Sequence, residues 1–135
     1  MNKIIGLIPV KGNSGRVLKK NTRDFADTNL LELKLSQIKK VKELSNIVVS
    51  SEDKDIIAIA KNNGLEIHQR NPYFSTNFVP MSEVYSNIAS EISGENIAWI
   101  NVTNPLAEPQ IYSKAIKTYL DFKNNEYDCL LSVYE

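Results

Sequence analysis

The stretch that decides the fold reads IIGLIPVKGNSGRVLKKN over residues 4–21. It opens with the apolar run IIGLI at residues 4–8, which is typical of a buried strand. The strand leads into a loop rich in Gly, Ser and Asn, and six basic and no acidic residues occupy the first 23 positions of the chain. The five cations in and just after the loop are Lys11, Arg16, Lys19, Lys20 and Arg23.

A loop of this composition predicts a binding site for a phosphate-bearing ligand such as a nucleotide. Backbone N–H groups can turn toward phosphate oxygens where Gly12 and Gly15 relieve the steric limits, and the lysines and arginines neutralise the charge. The alternative is a basic loop that only stays solvated. Crowded cations repel one another unless an anion lies among them, so the binding site is favoured.

Length and composition narrow the class of protein. A chain of 135 residues with 42% hydrophobic and 24% charged residues is predicted to form one globular domain over residues 1–135. Its net charge of zero argues against a nucleic-acid partner. No stretch approaches the ~18 consecutive apolar residues of a membrane span, which argues against a membrane partner. A single cysteine, Cys129, fits a reducing compartment and predicts a cytoplasmic protein.

Short apolar runs alternate with amphipathic stretches along the chain. Five strands are predicted, at residues 3–8, 47–49, 65–68, 96–101 and 128–134. Four helices are predicted, at residues 30–44, 51–63, 80–92 and from 109 onward, and residues 70–79 are predicted to form a loop. This alternation predicts an α/β fold, a three-layer Rossmann-like domain with a mostly parallel sheet.

Several side chains have structural interpretations. Residues 51–53 are expected to supply the N-cap and acidic first turn of the second helix, which accounts for the carboxylates of Glu52 and Asp53. Cys129 is expected in the core of the fifth strand, and His68 at a structural or surface position. The last helix is expected to bury one face, made of Ile111, Ala115, Tyr119 and Phe122. Tyr73 and Phe74 either stack on a base or plug the long loop.

In parallel sheets, ligands bind beyond the carboxyl ends of the strands. The basic loop lies at that edge, as do Ser50–Ser51 after the second strand and residues 101–106 after the fourth. The basic loop is neither a Walker A sequence nor a Gly-x-Gly-x-x-Gly fingerprint, which removes the main support for a P-loop or dinucleotide site. Three polar loops are thus expected to form one site.

The sequence resembles the sugar-acid cytidylyltransferases, a family that contains the CMP-N-acylneuraminate and the CMP-KDO synthetases. Residues 8–21 are similar to the family's N-terminal pattern, roughly IPARGGSKGxxxKN. The resemblance continues through IVVSSED at 47–53, IAKNNGLEI at 59–67, Arg70, VTNPL at 102–106 and LLSVYE at 130–135. It covers nearly the whole chain in the right order, and it implies a nucleotide-diphospho-sugar transferase fold.

The resemblance implies roles for residues in the basic loop and beyond. Lys11 stands where the family has arginine and would hold the triphosphate, and Lys20 would bind phosphate oxygens; these two are the catalytic candidates. Asn21 would lie near the cytosine edge, and Arg70 would help to hold the nucleotide. The full nucleotide-binding set is Val10, Lys11, Gly12, Ser14, Arg16, Lys20, Asn21, Arg70, Ser82 and Asn101.

The loop after the fourth strand is similar to the acylneuraminate branch rather than the KDO branch, because Thr103, Pro105 and Leu106 match and no aspartate is present. Asn101, Thr103 and Asn104 are the candidates for binding the second substrate. Asn101 replaces the branch's glutamine and Ala107 its arginine, which leaves the sugar open.

The resemblance implies transfer of CMP from CTP to a sialic-type sugar acid with release of pyrophosphate, in a homodimer that uses Mg²⁺. Family members are longer, and their metal-binding aspartates and their sugar and dimerisation segment lie downstream of position 135. No metal ligand is therefore expected within this chain; CTP and residues outside it would hold the ion. The alternatives are a CTP-binding fragment or degenerate homologue without catalysis, and a nucleotidyltransferase for another sugar acid such as KDO.

Overall fold

The computed structural model describes residues 3–13, 16–123 and 125–133. Four parallel strands form one sheet in the order β3-β2-β1-β4. The strands are β1 (Ile4–Pro9), β2 (Asn46–Ser51), β3 (Glu66–Gln69) and β4 (Asn96–Trp99). The helices are α1 (Leu30–Ile38), α2 (Lys54–Asn62), α3 (Met81–Glu91) and α4 (Pro109–Phe122), with a short 3-10 turn at Pro72–Ser75. The predicted α/β class with a parallel sheet is confirmed.

The central strand β1 is apolar on both faces because helices cover both sides of the sheet. Its side chains alternate: Ile4 and Ile8 pack with α1, α2 and α4, whereas Ile5 and Leu7 pack with α3. Gly6 lies between them, where an added Cβ would come within 2.9 Å of the Leu44 side chain. The result is a three-layer domain with one core on each side of the sheet.

Helices α1 and α2 each begin with a residue whose side chain caps the helix N-terminus. The side chain of Asn29 accepts a hydrogen bond from the backbone of Glu32 at the start of α1. The Asp53 side chain accepts from the backbone N–H groups of Asp55 and Ile56 at the start of α2. The N-cap therefore lies within the predicted segment 51–53, but the acidic residue of the first turn is Asp55. Within the described ranges, every helix is too short or too polar to cross a bilayer.

The predicted fifth strand at 128–134 is wrong for the residues that the structure describes. Residues 128–133 form no strand and are exposed, and Cys129, expected in the core, is exposed as well. An apolar run can form a strand only where a neighbouring strand offers its backbone groups. Here the segment pairs with none of the four strands.

Two helix predictions also needed correction. α1 ends at Ile38 rather than at residue 44, and tight backbone turns from Lys40 to Gln37 and from Val41 to Ile38 follow it. The predicted face of α4 was misplaced, because Ile111 and Phe122 are exposed. The face that meets the core consists of Tyr112, Ile116, Tyr119 and Leu120.

Candidate functional site

The three polar segments that were expected to form one site are the basic loop, Ser50–Ser51 and residues 101–106. All three lie at the carboxyl ends of adjacent strands. The backbone N–H of Val10 donates to the carbonyl of Ser50 at 2.9 Å, which joins the ends of β1 and β2. The N–H of Arg70 donates to Ser51 O at 2.9 Å, which adds the end of β3. The N–H of Ile100 donates to Leu7 O at 2.9 Å and brings the start of the β4 loop, residues 101–108, beside them.

Asn21 closes the basic loop, residues 11–21, upon itself. Its Nδ2 donates to the carbonyl of Lys11 at 3.1 Å, and its own carbonyl accepts from the N–H of Leu31 at 3.0 Å. The side chain is buried, yet its Oδ1 has no hydrogen-bond partner among the described residues. A buried acceptor without a partner is costly, so Asn21 is suited to receive a donor from a ligand.

The cations of the basic loop differ in exposure. Lys11 and Lys20 are partly buried, whereas Arg16 and Lys19 are exposed. Lys19 has a φ of 49°, a left-handed conformation that a side chain such as lysine adopts at a cost. Ser14, predicted to bind phosphate, and Gly15 lie outside the described residues.

Glu52 joins three segments of the site, although sequence reasoning treated it as part of a helix start. Its Oε1 accepts the Gly12 N–H at 3.0 Å, and its Oε2 accepts the hydroxyl of Ser75 at 2.7 Å. The Gly12 amide, which the resemblance assigns to a phosphate, therefore donates to a carboxylate here. A Cβ at Gly12 would also collide with the side chain of Asp53, so only glycine allows this close approach.

Arg70 lies beneath this junction and is only 2% exposed. Its Nη2 donates to Ser50 O at 3.0 Å, its Nε to Ser50 Oγ at 3.3 Å and its Nη1 to Ser75 Oγ at 3.4 Å. Burial lowers the pKa of the guanidinium, and the charge of Glu52 partly offsets this effect. Arg70 keeps its charge and holds the 3-10 turn against the end of β2. We call Gly12, Ser50, Glu52, Arg70 and Ser75 the junction cluster.

His68 extends the junction cluster to the surface. Its Nδ1 lies 2.8 Å from Ser50 Oγ, and its Nε2 lies 2.6 Å from an oxygen of Glu91 on α3. Hydrogen bonds from His68 and Asn87 lower the pKa of Glu91. His68 therefore bridges α3 and β2, in keeping with the structural position predicted for it.

An open cleft of ≈ 610 Å³ lies beside the junction cluster. Its lining includes Gly12 and Asn13 together with the carboxylates of Glu52, Asp53 and Asp55. Among the described residues, no group of three or more His, Cys, Asp or Glu side chains is placed so that it could hold a metal ion. Glu52 and Asp53 also already accept backbone N–H groups.

The β4 loop is held from below by Lys34 of α1, a residue that sequence reasoning missed. Lys34 is 0% exposed. Its Nζ donates to Asn104 O at 2.6 Å, to Tyr112 Oη at 2.9 Å and to Ala107 O at 3.3 Å, and it lies 4.9 Å from the centre of the Tyr112 ring. Gln37, one turn further along α1, donates from Nε2 to Pro105 O at 2.8 Å.

The sequence does contain signals for Lys34 and Glu52, the two residues that were missed. Lys34 lies three residues after Leu31 and four before Ile38, so it shares the apolar face of α1 and had to be buried with them. Two carboxylates precede α2, and one cap needs only one of them. Asp53 forms the cap, which left Glu52 available for another contact.

The remaining candidates lie around the rim. Asn101, Thr103 and Asn104 are exposed on the β4 loop. Ser82 is exposed in the first turn of α3 and takes no part in the hydrogen bonds of the junction cluster. Phe74 packs against the core beside α3, whereas the ring of Tyr73 is 56% exposed.

The basic loop, the buried arginine and the β4 loop thus lie at the carboxyl edge of a parallel α/β sheet, where ligands bind in folds of this class. The chain belongs to the cytidylyltransferase family, whose model matches residues 5–135.

One curated relative is the uncharacterized protein MJ1063 of Methanocaldococcus jannaschii, 28% identical over 127 residues, with 91% of this chain and 49% of that protein aligned. A solved CMP:2-keto-3-deoxy-manno-octonic acid synthetase complexed with CTP superimposes with a TM-score of 0.75 at 12% identity and covers 89% of this chain and 48% of that one. A cytidylyltransferase from Leptospira borgpetersenii gives a TM-score of 0.72 at 24% identity, covering 93% and 51%. The two solved structures share the fold, and this chain spans about half the length of these proteins.

Proposed function

We propose that residues 1–135 form the CTP-binding domain of a cytidylyltransferase that transfers CMP to a sialic-type sugar acid. Family membership supports the use of CTP. The observation that carries the proposal within this chain is Asn21, which closes the basic loop and has a buried amide oxygen without a partner among the described residues. That oxygen suits the exocyclic amino group of cytosine, which is a hydrogen-bond donor.

In this proposal the triphosphate lies along the basic loop. Lys11 and Lys20 neutralise its charge, with Arg16 at the exposed side, whereas the N–H groups of Val10 and Gly12 already donate to Ser50 O and Glu52 Oε1. Arg70 is held rigidly by β2 and the 3-10 turn and fixes the position of the nucleotide. Ser82 and Asn101 complete the nucleotide-binding set from α3 and the β4 loop.

In the proposed reaction, the anomeric hydroxyl of the sugar acid attacks the α-phosphorus of CTP. A new O–P bond forms, the O–H bond of the hydroxyl breaks and its proton passes to solvent, the bond from the α-phosphorus to the bridging oxygen breaks, and pyrophosphate leaves. The chain's own part is to orient CTP and to stabilise the developing negative charge with Lys11 and Lys20. Asn101, Thr103 and Asn104 would bind the sugar acid.

Mg²⁺ would supply charge neutralisation at the phosphates when bound. The described residues hold no group that fits the ion, so its ligands in the proposal are CTP and residues outside this chain. The homodimer and the cytoplasmic location also remain predictions.

Calorimetry of CTP binding by this chain tests the nucleotide part, with ATP and UTP as matched nucleotides. We expect CTP to bind more tightly than either. No binding of CTP, or equal binding of all three, would contradict the proposed site.

Pyrophosphate release with Mg²⁺ and a panel of N-acetylneuraminate, KDO and related acids tests the acceptor. CTP binding without turnover would favour the second candidate, a CTP-binding domain that does not catalyse by itself. Turnover only with KDO would favour the third candidate, a nucleotidyltransferase for another sugar acid.

A further inference from the structure

The β4 loop has an unusual support, a lysine buried directly beneath it. Lys34 is 0% exposed, and the partners of its Nζ are two loop carbonyls and the hydroxyl of Tyr112. None of these partners carries a negative charge. A lysine in such surroundings gives up the hydration of its ammonium group and receives only dipoles in return.

The loop itself carries no cation. Residues 101–108 read NVTNPLAE, with Glu108 as the single ionisable side chain, and Glu108 is exposed. The positive charge beneath the exposed side chains of Thr103 and Asn104 therefore comes from Lys34. In a poorly hydrated interior such a charge acts over a longer distance than it would in water.

We propose that Lys34 is a positioning residue whose ammonium group shapes residues 104–107 for an anionic sugar acid, and that loss of its proton weakens the binding of that acid. The acceptor part of this proposal rests on the proposed function. The control of the loop's shape by the protonation of Lys34 does not depend on the proposed function.

Protonation matters because it changes the hydrogen-bonding capacity of Nζ. The ammonium donates three hydrogen bonds, one to each partner, whereas a neutral amine has two N–H groups and one lone pair. Burial lowers the pKa of Lys34 from 10.5 to about 8. Burial also raises the pKa of Tyr112, the titratable side chain that α4 places against it, so Tyr112 keeps its proton while Lys34 loses one.

Deprotonation of Lys34 therefore forces a rearrangement. Tyr112 must turn its hydroxyl from acceptor to donor, and the attraction between the cation and the Tyr112 ring, at 4.9 Å, disappears. Both carbonyls of the loop lose a charge-assisted hydrogen bond at the same time. Gln37 continues to hold Pro105 O, so the loop changes shape without detaching from α1.

The first experiment follows the backbone amide signals of Thr103, Asn104, Leu106 and Ala107 by NMR between pH 6.5 and 9.5. We expect them to shift together with one midpoint near that of Lys34 and to lose this transition in Lys34→Met. Lys40→Met, which removes an exposed lysine beyond the end of α1, is the matched control and should keep the transition. A loop that does not titrate in the wild type, or titrates equally in Lys34→Met, would overturn the proposal.

The second experiment measures N-acetylneuraminate binding in the presence of CTP at pH 7 and pH 9. We expect binding about tenfold weaker at pH 9 in the wild type, the scale of one charge-assisted hydrogen bond, and equally weak binding at both pH values in Lys34→Met. CTP affinity should not follow this pattern. If the loop titrates but acceptor affinity stays constant, the acceptor part is rejected; if CTP itself does not bind, the proposed function fails instead.

Discussion

The basic loop and the β4 loop leave two adjacent strands at the same edge of the sheet, yet they are held in opposite ways. The basic loop is rich in cations, and a carboxylate, Glu52, holds its Gly12 amide. The β4 loop has no cation, and an ammonium group, Lys34, holds its carbonyls from below. In each case the supporting charge is opposite to the backbone group that it binds.

This contrast separates two tasks. In the nucleotide half of the site, which consists of the basic loop and the junction cluster, the charges proposed to bind a ligand lie on the loop. The carboxylate of Glu52 keeps a backbone amide of that loop in place. In the acceptor half, which consists of the β4 loop and Lys34, the loop offers neutral polar groups. The ammonium group of Lys34 supplies the charge. Removing a support should therefore affect shape in the first half, and both shape and charge in the second.

The largest effect is expected for Arg70→Met. The variant removes a buried cation that joins β2 to the 3-10 turn and takes one of two donors from Ser50 O, which keeps the Val10 N–H. A hydrogen bond from a charged group contributes about 1.5–3 kcal/mol, and Arg70 donates to Ser50 O, Ser50 Oγ and Ser75 Oγ. Urea unfolding should show this loss of stability, while the exposed control Arg23→Met should stay close to the wild type. An Arg70→Met protein with the stability and CTP affinity of the wild type would show that the junction cluster does not support the nucleotide half.

The next effect is a pH dependence of stability in the acceptor half. The pKa of Lys34 is about 8 in the folded protein and 10.5 in the unfolded chain, so the unfolded chain binds more protons between these values and stability rises with pH there. The wild type should gain up to about 3 kcal/mol relative to Lys34→Met between pH 8 and 10.5. Chemical unfolding at pH 7.5, 9 and 10 measures it, and a flat difference between the two proteins would show that burial does not lower the pKa of Lys34 in the fold.

Lys20→Ala should weaken CTP binding by about 1.5–3 kcal/mol, the value of a hydrogen bond to a charged group. Lys40→Ala removes one lysine elsewhere and controls for net charge. Calorimetry at two salt concentrations should show a smaller salt dependence for Lys20→Ala only. An unchanged affinity would exclude Lys20 from the nucleotide half.

The smallest effect separates shape from charge at Glu52. Glu52→Gln keeps an acceptor for the Gly12 N–H and a polar group for Ser75, whereas Glu52→Ala removes both. We expect Glu52→Ala to weaken CTP binding by about 1 kcal/mol, the net value of a lost hydrogen bond, and Glu52→Gln to retain most of the affinity. Equal losses in both variants would mean that the charge of Glu52, rather than its hydrogen bonds, supports the basic loop.

Local patterns predicted much of this fold. The apolar run at residues 4–8, the β-branched run at 47–49 and the cap at Asp53 depend on neighbours in sequence, and each was found. The strand at 128–134 was not, because pairing needs a partner whose position the pattern does not contain. The face of α4 was misplaced for a related reason, since Ile111 and Ile116 both fit a helical period and the rest of the fold decides which one is buried.

The resemblance to the cytidylyltransferases named the candidate residues Lys11, Lys20, Asn21 and Arg70, whereas the residue pattern predicted the parallel α/β class and the basic loop after the first strand. The class and the loop depend on composition and spacing within short segments, where hydrophobic period and turn chemistry act directly. Only the tertiary structure decided what holds the two loops. Glu52 reaches Gly12 across 40 positions and Lys34 reaches Asn104 across 70, and such contacts arise only when packed layers bring distant segments together.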